Sequence, residues 1–394
     1  MFLPSPLKEI LITEQCNLNC DYCFKSNFDA NASWEYIKEF IDSGSFSELK
    51  FFGGEPFLKA DLIFKTLDYI SNNPRFTAEE KAQILKPLKY VTTNGTLVDQ
   101  YIEKIKAYGL VLQFSLDGPE NVHDVHRKTK KGNGSFNKII GNIALCYQYN
   151  IDFTIHSVIS RNNFSQFAET IKFFYNISLK YCENNKSAII SQKGNRFKFI
   201  FEEEFTDDDI DILIDQIFKI ALWIHEDLKE LSSEEKSLLF DALLRKRPSV
   251  CGAGSGLKTI DTEKTTSPCH RMSISSYQNI GDSYRTRFDN NEFISLDNCK
   301  SYNSLHSLMQ SNCKMYGYFG ILDEDSIKMN TEFNFKLGTW CPAANIQLTS
   351  NPFYIPSKYS VLIQEINRAI DAAQEKLFPD TDYFLDKFFE EQSV

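Results

Sequence analysis

The chain has 394 residues, of which 42% are hydrophobic and 24% are charged, and its formal net charge at pH 7 is -10. This length suffices for one large domain and a smaller one, and the acidic balance argues against a nucleic-acid backbone as the main partner. No uninterrupted apolar stretch approaches the roughly 20 residues of a membrane span, and residues 1–8 lack the basic and apolar regions of a signal peptide. The composition therefore predicts a cytoplasmic protein that binds neither membranes nor nucleic acid.

The first predicted element, a strand at Leu7–Thr13, leads directly into three cysteines. Cys16, Cys20 and Cys23 stand in a C-x3-C-x2-C spacing. These three thiolates can bind one corner of a 4Fe-4S cubane, and because such a cluster usually has four cysteine ligands, one iron would stay open to a small molecule. A zinc site more often shows paired C-x2-C units, and a disulfide is not expected in a chain without secretory features. The spacing favours the cluster, with zinc as the alternative.

Strands and helices are then predicted to alternate along the chain. Helices are predicted at 33–43, 62–72, 98–108, 134–149 and 164–175, and strands at 49–52, 88–92, 110–116, 151–159 and 197–201. This alternation indicates parallel βαβ units, in which ligands gather at the carboxyl ends of the strands. Four predicted strand ends carry polar or glycine-rich sequence, namely 16–23, 53–56, 94 and 115–117. We expect them to share one face of an α/β fold.

This pattern resembles the signature of the radical S-adenosylmethionine (SAM) superfamily over residues 7–202. The resemblance implies a partial (β/α)6 barrel whose open iron chelates SAM, so that reductive cleavage yields a 5'-deoxyadenosyl radical that abstracts hydrogen. It also implies that the 53–56 turn binds the SAM ammonium group, that Ser115 and Asp117 lie near the ribose, and that Arg127 pairs with the SAM carboxylate. The implied cofactor-binding residues are Tyr22, Gly53, Gly54, Glu55, Pro56, Asn94, Ser115, Asp117 and Arg127. His123 and His126 are expected to be loop histidines rather than ligands.

A second group of cysteines follows at Cys251, Cys269, Cys299, Cys313 and Cys341. The stretch from Cys251 to Cys269 resembles the hairpin of SPASM and twitch domains, which carry auxiliary iron–sulfur clusters in radical SAM enzymes that modify peptides and proteins. The C-x2-C-x5-C-x3-C block of a full SPASM domain is missing, because Tyr316 and Tyr318 stand near Cys313 where that block could be completed.

Counting thiols bears on the number of clusters. Two fully Cys-ligated cubanes need eight thiolates, and of the 10 cysteines, 10 minus 3 leaves seven outside the first motif. Cys146, in an apolar helix, and Cys182, in a polar loop, are interpreted as structural. The count favours one auxiliary 4Fe-4S cluster held by Cys251, Cys269, Cys313 and Cys341, with Cys299 as the fifth candidate. Two clusters with a non-cysteine ligand, or a zinc site, remain the alternatives.

The predicted organisation has four parts. Residues 1–205 form the barrel, 206–248 a helical bridge, 249–349 the SPASM/twitch-like cluster domain, and 350–394 a C-terminal helix with an acidic tail. The bridge is predicted to contain helices at 207–231 and 233–245, and the C-terminal helix, at 357–377, is predicted to pack across the barrel.

The resemblance implies a peptide maturase that installs a carbon–carbon or thioether crosslink in a ribosomally made precursor peptide. Its expected partners are that peptide, an external reductant of the flavodoxin or ferredoxin type, and a separate peptide-delivery protein. One alternative is an anaerobic sulfatase-maturing enzyme, which forms formylglycine and has an acidic base directly after the second hairpin cysteine. His270 stands there, and it is either a base with a pKa near neutral or a structural histidine. Another alternative is an iron–sulfur sensor without turnover.

Overall fold

The structure is a computed structural model that describes residues 7–25, 29–43, 46–85, 89–181, 195–199, 206–244, 257–273, 286–287 and 357–378. Within these residues the strands β1–β11 span Leu7–Thr13, Leu18–Cys20, Glu48–Gly53, Lys89–Thr93, Val111–Ser115, Arg127–Thr129, Phe153–Ile159, Asn195–Phe199, Leu257–Ile260, Thr265–Ser267 and Thr286–Arg287. The helices α1–α10 span Trp34–Asp42, Ala60–Asn72, Ala78–Leu85, Val98–Ala107, Glu120–His126, Phe136–Gln148, Phe167–Tyr181, Asp207–Glu226, Ser233–Leu244 and Ser357–Leu377. No described helix is both long enough and apolar enough to cross a membrane.

One parallel sheet organises the N-terminal half. Strands β1, β3, β4, β5, β7 and β8 lie side by side in chain order, and each pairs in parallel with the next. A parallel connection needs a crossover, and helices α1, α2, α4, α6 and α7 lie in these connections. Because all six strands run the same way, their carboxyl ends meet at one edge.

The core lies between this sheet and its helices. The largest fully buried side chains are mostly phenylalanines, namely Phe40, Phe51, Phe57, Phe114, Phe164, Phe174 and Phe240. In β1 the residues from Lys8 onward are buried on both faces, as expected for a strand in the interior of a parallel sheet. Such burial fixes the position of each strand in the sheet. It therefore also fixes where the residues that directly follow each strand lie.

The start of the second cysteine region extends the same sheet. Strand β9 pairs in parallel with β1, with Leu7 opposite Leu257 and Ile10 opposite Ile260. Strands β10 and β11 then add antiparallel pairs beyond β9. The chain therefore returns to the sheet's first strand about 250 residues later, which places β9 beside β1, the strand that leads into the cysteine loop.

Several features differ from the sequence-based expectations or add to them. Helix α3 was not predicted, and residues 120–126 form helix α5 rather than a loop. The C-terminal helix α10 packs on α8 and α9, and Gln374 donates a hydrogen bond to Ser237 over 2.7 Å. The predicted strand at 197–201 occupies 195–199. The fold class and the alternation of strands and helices agree with the prediction.

Candidate functional site

The polar strand ends meet at one edge of the sheet. Strands β1, β3, β4 and β5 are parallel neighbours. They are followed by the cysteine loop (residues 14–25), the 53–56 turn, Asn94 and residues 116–117, and Ser115 is the last residue of β5. The fold therefore brings together sequence-predicted residues that lie up to about 100 positions apart.

Two kinds of contact hold the cysteine loop in place. The short strand β2 pairs antiparallel with β6, which sets Cys20 opposite Arg127. At the base of the loop, the buried Lys25 ammonium contacts the buried Glu14 carboxylate at 2.5 Å. Because Glu14 precedes the first cysteine and Lys25 follows the last, this ion pair ties the two ends of the loop together.

The three thiols of this loop are free rather than disulfide-bonded. Burial raises the pKa of Cys16 to about 12 and that of Cys20 to about 11, although Arg127 partly lowers the latter. Metal ligation requires thiolates, so binding of a cationic centre would release protons here. Among the described residues no three Cys, His, Asp or Glu side chains converge on a single-ion site. A cubane spreads its thiolates over different irons and does not need such convergence.

A chain of hydrogen bonds connects three strand ends. The fully buried Glu55 carboxylate accepts hydrogen bonds from Phe57 N at 3.0 Å, Thr93 Oγ1 at 2.9 Å and Asn94 N at 2.7 Å. Asn94 Nδ2 in turn donates to the Sγ of Cys16 over 3.7 Å. Burial raises the pKa of Glu55 to about 7, against the lowering effect of its hydrogen-bond donors. Glu55 therefore fixes the turn that carries Asn94 to the cysteine loop.

Glycine is required at 53 and 54 by the packing of the chain against itself. Gly53 has a φ of +151°, and a Cβ there would lie 2.1 Å from the Thr13 carbonyl oxygen. At Gly54 a Cβ would lie 2.3 Å from the Gln15 carbonyl oxygen. The turn reaches the start of the cysteine loop through Gly54 N to Thr13 O and Glu55 N to Gln15 O, both at 2.8 Å. These glycines therefore pack closely against residues 13–15. Pro56 then begins a 3-10 helix in which Pro56 and Phe57 are buried.

A second buried group connects the loop to the end of β5. Arg127 donates to both oxygens of the Asp117 carboxylate, from Nε at 2.8 Å and from Nη2 at 3.2 Å. The Tyr22 hydroxyl donates to the same carboxylate, and Val158 N donates to it at 3.0 Å. Burial tends to raise the pKa of Asp117, but the charge and hydrogen bonds of Arg127 hold it below its ordinary value. The planar fork of Arg127 is thus already engaged by the protein, and contact with a SAM carboxylate would use its remaining N–H groups.

The structure corrects the expectation for His123 and His126, which are not loop residues. Both are buried in helix α5. His126 Nδ1 lies 2.8 Å from Asp21 in the cysteine loop, and His123 Nδ1 accepts from Asp117 N over 3.2 Å while its Nε2 lies 3.0 Å from Ser135 Oγ. Burial lowers the pKa of His123 to about 4, which keeps it neutral. Sequence reasoning missed these supports; the H-D-x-H-R spacing, with both histidines near Arg127, was the available signal.

His270 belongs to a buried polar group on β1. Its Nδ1 lies 2.8 Å from Oε2 of Glu9, which also accepts from Thr259 Oγ1 at 2.9 Å. Lys50 Nζ lies 3.0 Å from the other Glu9 oxygen. The His270 ring stacks on Phe52, with 4.2 Å between ring centroids. Because Glu9 is held ionised, Nδ1 of His270 donates its hydrogen to the carboxylate, and Nε2 is the ring nitrogen at which a proton could be exchanged.

Glu9→Gln is expected to lower the free energy of unfolding by about 1.5–3 kcal/mol at pH 7, the typical value of hydrogen bonds to a charged group. Burial tends to raise the pKa of Glu9, but the charges of His270 and Lys50 hold it well below its ordinary 4.5. A carboxyl group with a lowered native pKa stabilises the fold above its unfolded pKa and loses that effect as pH falls. In denaturant unfolding, the difference between wild type and variant should therefore shrink below about pH 4.5.

The matched control is Glu79→Gln, on the exposed surface of α3. It should leave the unfolding free energy unchanged at pH 7 and also below about pH 4.5. An equal response of the two variants would contradict a stabilising Glu9 group.

Only one member of the second cysteine group falls in the described part of the chain. Cys269 is buried directly before the 3-10 turn at His270–Met272. Cys251, Cys299, Cys313 and Cys341 lie outside the described residues, as does Cys182. Cys146 is fully buried in α6, which agrees with its interpretation as a core thiol.

The comparison with protein families decides what the first site belongs to. Residues 10–174 match the radical SAM superfamily. The chain contains a radical SAM domain. That segment includes the three cysteines of the loop, the 53–56 turn and the Asp117–Arg127 pair, and it runs through five of the six parallel strands of the barrel.

Several curated proteins are similar in sequence to part of this chain. Residues of this chain are 30% identical to an uncharacterized protein of Methanocaldococcus jannaschii over 43% of the chain and 58% of that protein. They are 28% identical to a cysteine-type anaerobic sulfatase-maturating enzyme of Clostridium novyi over 41% of the chain and 46% of the enzyme. They are 26% identical to the radical SAM cyclopropyl synthase TigE of Paramaledivibacter caminithermalis over 43% and 39%. The matches thus span about half the length of these relatives.

Solved structures show the same fold over most of the chain. anSMEcpe with bound AdoMet superposes with a TM-score of 0.64 at 19% identity, over 94% of this chain and 96% of that one. Streptococcus suis SuiB bound to the precursor peptide SuiA gives a TM-score of 0.50 at 16% identity, over 90% and 75%. At such identities the likeness concerns the fold.

Proposed function

We propose that this chain is a radical SAM enzyme that modifies a ribosomally made precursor peptide, with an intramolecular side-chain crosslink as the product. The observation that carries the proposal is the meeting of the Cys16, Cys20 and Cys23 loop with Asn94 and the Asp117–Arg127 pair at one sheet edge. A cluster and SAM bound there would supply reductive cleavage and hydrogen abstraction. The enzyme would work in the cytoplasm with a flavodoxin- or ferredoxin-type reductant, and a separate protein could deliver the peptide.

The residues of this chain have separate tasks in the proposal. The three cysteines hold the cluster, and the sulfur contact from Asn94 supplies the kind of N–H donor that iron–sulfur ligands accept. The 53–56 turn would bind the SAM ammonium group and Ser115 and Asp117 would lie near its ribose, while Arg127 and Tyr22 keep the Asp117 carboxylate in place. A peptide substrate is supported by fold relatives such as SuiB, whose structure contains its precursor peptide.

The second half of the proposal concerns the C-terminal region. Residues 249–349 would hold at least one auxiliary 4Fe-4S cluster through Cys251, Cys269 and two or more of Cys299, Cys313 and Cys341. Support comes from β9, which pairs with β1 and so sets Cys269 and the following His270 beside the radical SAM domain. An auxiliary cluster there could take up the electron that crosslink formation releases.

Sulfatase maturation is the second candidate. It is favoured by the Clostridium novyi relative, whereas His270, which directly follows Cys269 and is held by Glu9, departs from the acidic base of that family. In this reading Nε2 of His270 would take the proton that an acidic residue takes in the sulfatase-maturing family.

The test is mass spectrometry of a short open reading frame from the same operon, co-expressed with the enzyme without oxygen. A crosslink removes two hydrogens from the peptide and leaves no group that reacts with a hydrazide. Formylglycine made from serine also removes two hydrogens, but it reacts with the hydrazide because it is an aldehyde. An unchanged peptide, with no 5'-deoxyadenosine released from SAM under reduction, would instead favour an iron–sulfur sensor and overturn the proposal.

A further inference from the structure

Cys16 receives two hydrogen bonds at its sulfur. The backbone N–H of Leu18 donates over 3.4 Å, and the side-chain amide of Asn94 donates over 3.7 Å. The first donor belongs to the cysteine loop itself and would be present in any chain that turns there in the same way. The second comes from the end of β4, 78 residues later in sequence, and therefore depends on one side chain.

The hydrogen-bond network determines which end of the Asn94 amide faces the sulfur. The backbone N–H of Thr96 lies 3.0 Å from one amide atom of Asn94, and the Thr96 hydroxyl lies 2.7 Å from the same atom. A backbone N–H can only donate, so that atom is the oxygen. The NH2 end therefore points to Asn17 Oδ1, at 2.8 Å, and to the Sγ of Cys16.

The Asn94 side chain is also held rigidly. It is buried, with 6% of its surface exposed, and its backbone N–H donates to the Glu55 carboxylate at 2.7 Å. Asn17 Nδ2 donates to Thr96 Oγ1 at 2.8 Å, which closes a ring of hydrogen bonds between the β4 turn and the cysteine loop. Because these hydrogen bonds hold the Asn94 side chain, we expect its N–H to stay directed at the Cys16 sulfur when the charge on that sulfur changes.

We infer that Asn94 sets the reduction potential of the cluster held by Cys16, Cys20 and Cys23, by donating a hydrogen bond to the Cys16 sulfur. The inference rests on the cluster in the proposed function. Hydrogen bonds to ligand sulfurs are among the factors that set iron–sulfur potentials. A donor stabilises negative charge on the sulfur, and the reduced cluster carries one electron more than the oxidised cluster. The Asn94 amide therefore makes the cluster easier to reduce.

The test is a redox titration followed by electron paramagnetic resonance on the full-length, anaerobically reconstituted protein, without SAM or peptide. Asn94→Ala removes the donor and should move the midpoint potential of the loop cluster to a more negative value. Asn94→Asp keeps the oxygen that Thr96 needs and removes both N–H groups, so it decides the matter if the alanine variant loads poorly. Its added negative charge should give the larger negative shift.

Asn142→Ala is the matched control. Asn142 is a buried asparagine that supports the same turn through Nδ2 to Gly95 O at 2.7 Å, and the same Nδ2 also donates to Asp99 Oδ1 at 3.3 Å. We expect the loop cluster of Asn142→Ala to have the same midpoint potential as the loop cluster of wild type. Equal potentials for the loaded Asn94 variants and wild type would overturn the inference, as would an equal shift in Asn142→Ala.

A variant with Cys16, Cys20 and Cys23 all replaced by alanine identifies which signal belongs to the loop. If wild type shows no signal that this variant lacks, the proposed cluster itself is wrong. If that signal is present but does not respond to Asn94, only the role of Asn94 is wrong.

Discussion

Cys20→Ala is expected to abolish reductive SAM cleavage by the reconstituted protein. Cys20 lies on β2 opposite Arg127, and in sequence it stands between Cys16 and Cys23. Removing it leaves two ligands for a cluster that needs three from the loop. Loss of an outer-shell partner typically costs about 10–100-fold in affinity or activity, and loss of a ligand should exceed that. The measurements are 5'-deoxyadenosine release under reduction and the iron and sulfide content per chain.

Cys146→Ala is the control for this experiment. Cys146 is as free a thiol as Cys20, but it is fully buried in α6 away from the loop. Its replacement should leave iron content and SAM cleavage unchanged and cost about 1 kcal/mol of stability, as for loss of a single buried group. If Cys20→Ala cleaved SAM at the wild-type rate, the loop would not hold the reactive cluster.

The alternation of strands and helices was predictable because it follows from the local spacing of apolar residues along the chain. Leu7–Thr13 reads as a strand from apolar and β-branched residues, and the structure has a strand with those bounds. Once six such strands alternate with helices, the common direction of their carboxyl ends follows from the geometry of parallel crossovers. That is why the meeting of the cysteine loop, the 53–56 turn and Asn94 could be expected without coordinates.

Helix α5 shows where local reading stops. Its seven residues, Glu120–His126, contain two histidines and two acidic residues, so their composition resembles a polar loop. The helix is held by two buried contacts: His123 meets Asp117, six residues earlier, and His126 meets Asp21, which lies 105 positions away in sequence. Short helices gain most of their stability from such tertiary contacts, and these contacts are not visible in a local pattern.

Two further contacts could not be predicted because they depend on how the strands are aligned. They are the hydrogen bond between Asn94 and Cys16 and the pairing of β9 with β1. A strand end can be predicted to carry Asn94, but which sulfur its amide reaches depends on the alignment of β1, β3 and β4. Likewise, the sequence shows Glu9 only as a polar residue in an apolar strand. Its contact with His270 depends on the pairing of β9 with β1. Contacts of this kind join residues 78 and 261 positions apart.

The second large effect is expected for Asp117→Asn, which should destabilise the protein by about 3–5 kcal/mol, the typical cost of breaking a buried ion pair by removing one partner. The Asp117 carboxylate is fully buried and is the acceptor for two N–H groups of Arg127. Asparagine keeps the shape but removes the charge. It therefore leaves a guanidinium that is 10% exposed without its counter-charge. Chemical denaturation of the protein measures the loss.

Arg127→Met in the Asp117→Asn background tests whether the lost stability comes from the unpaired charge. The double variant removes the buried cation, so it should recover much of the stability, and the coupling energy follows from the four-way cycle. The matched control is Asp215→Asn, which breaks the exposed pair with Lys219 at 2.6 Å on α8 and should cost at most about 1 kcal/mol. If the double variant were less stable than Asp117→Asn alone, burial of an unpaired guanidinium would not be the cause. Asp117 would then stabilise the fold mainly through Tyr22 and Val158, its other hydrogen-bond donors.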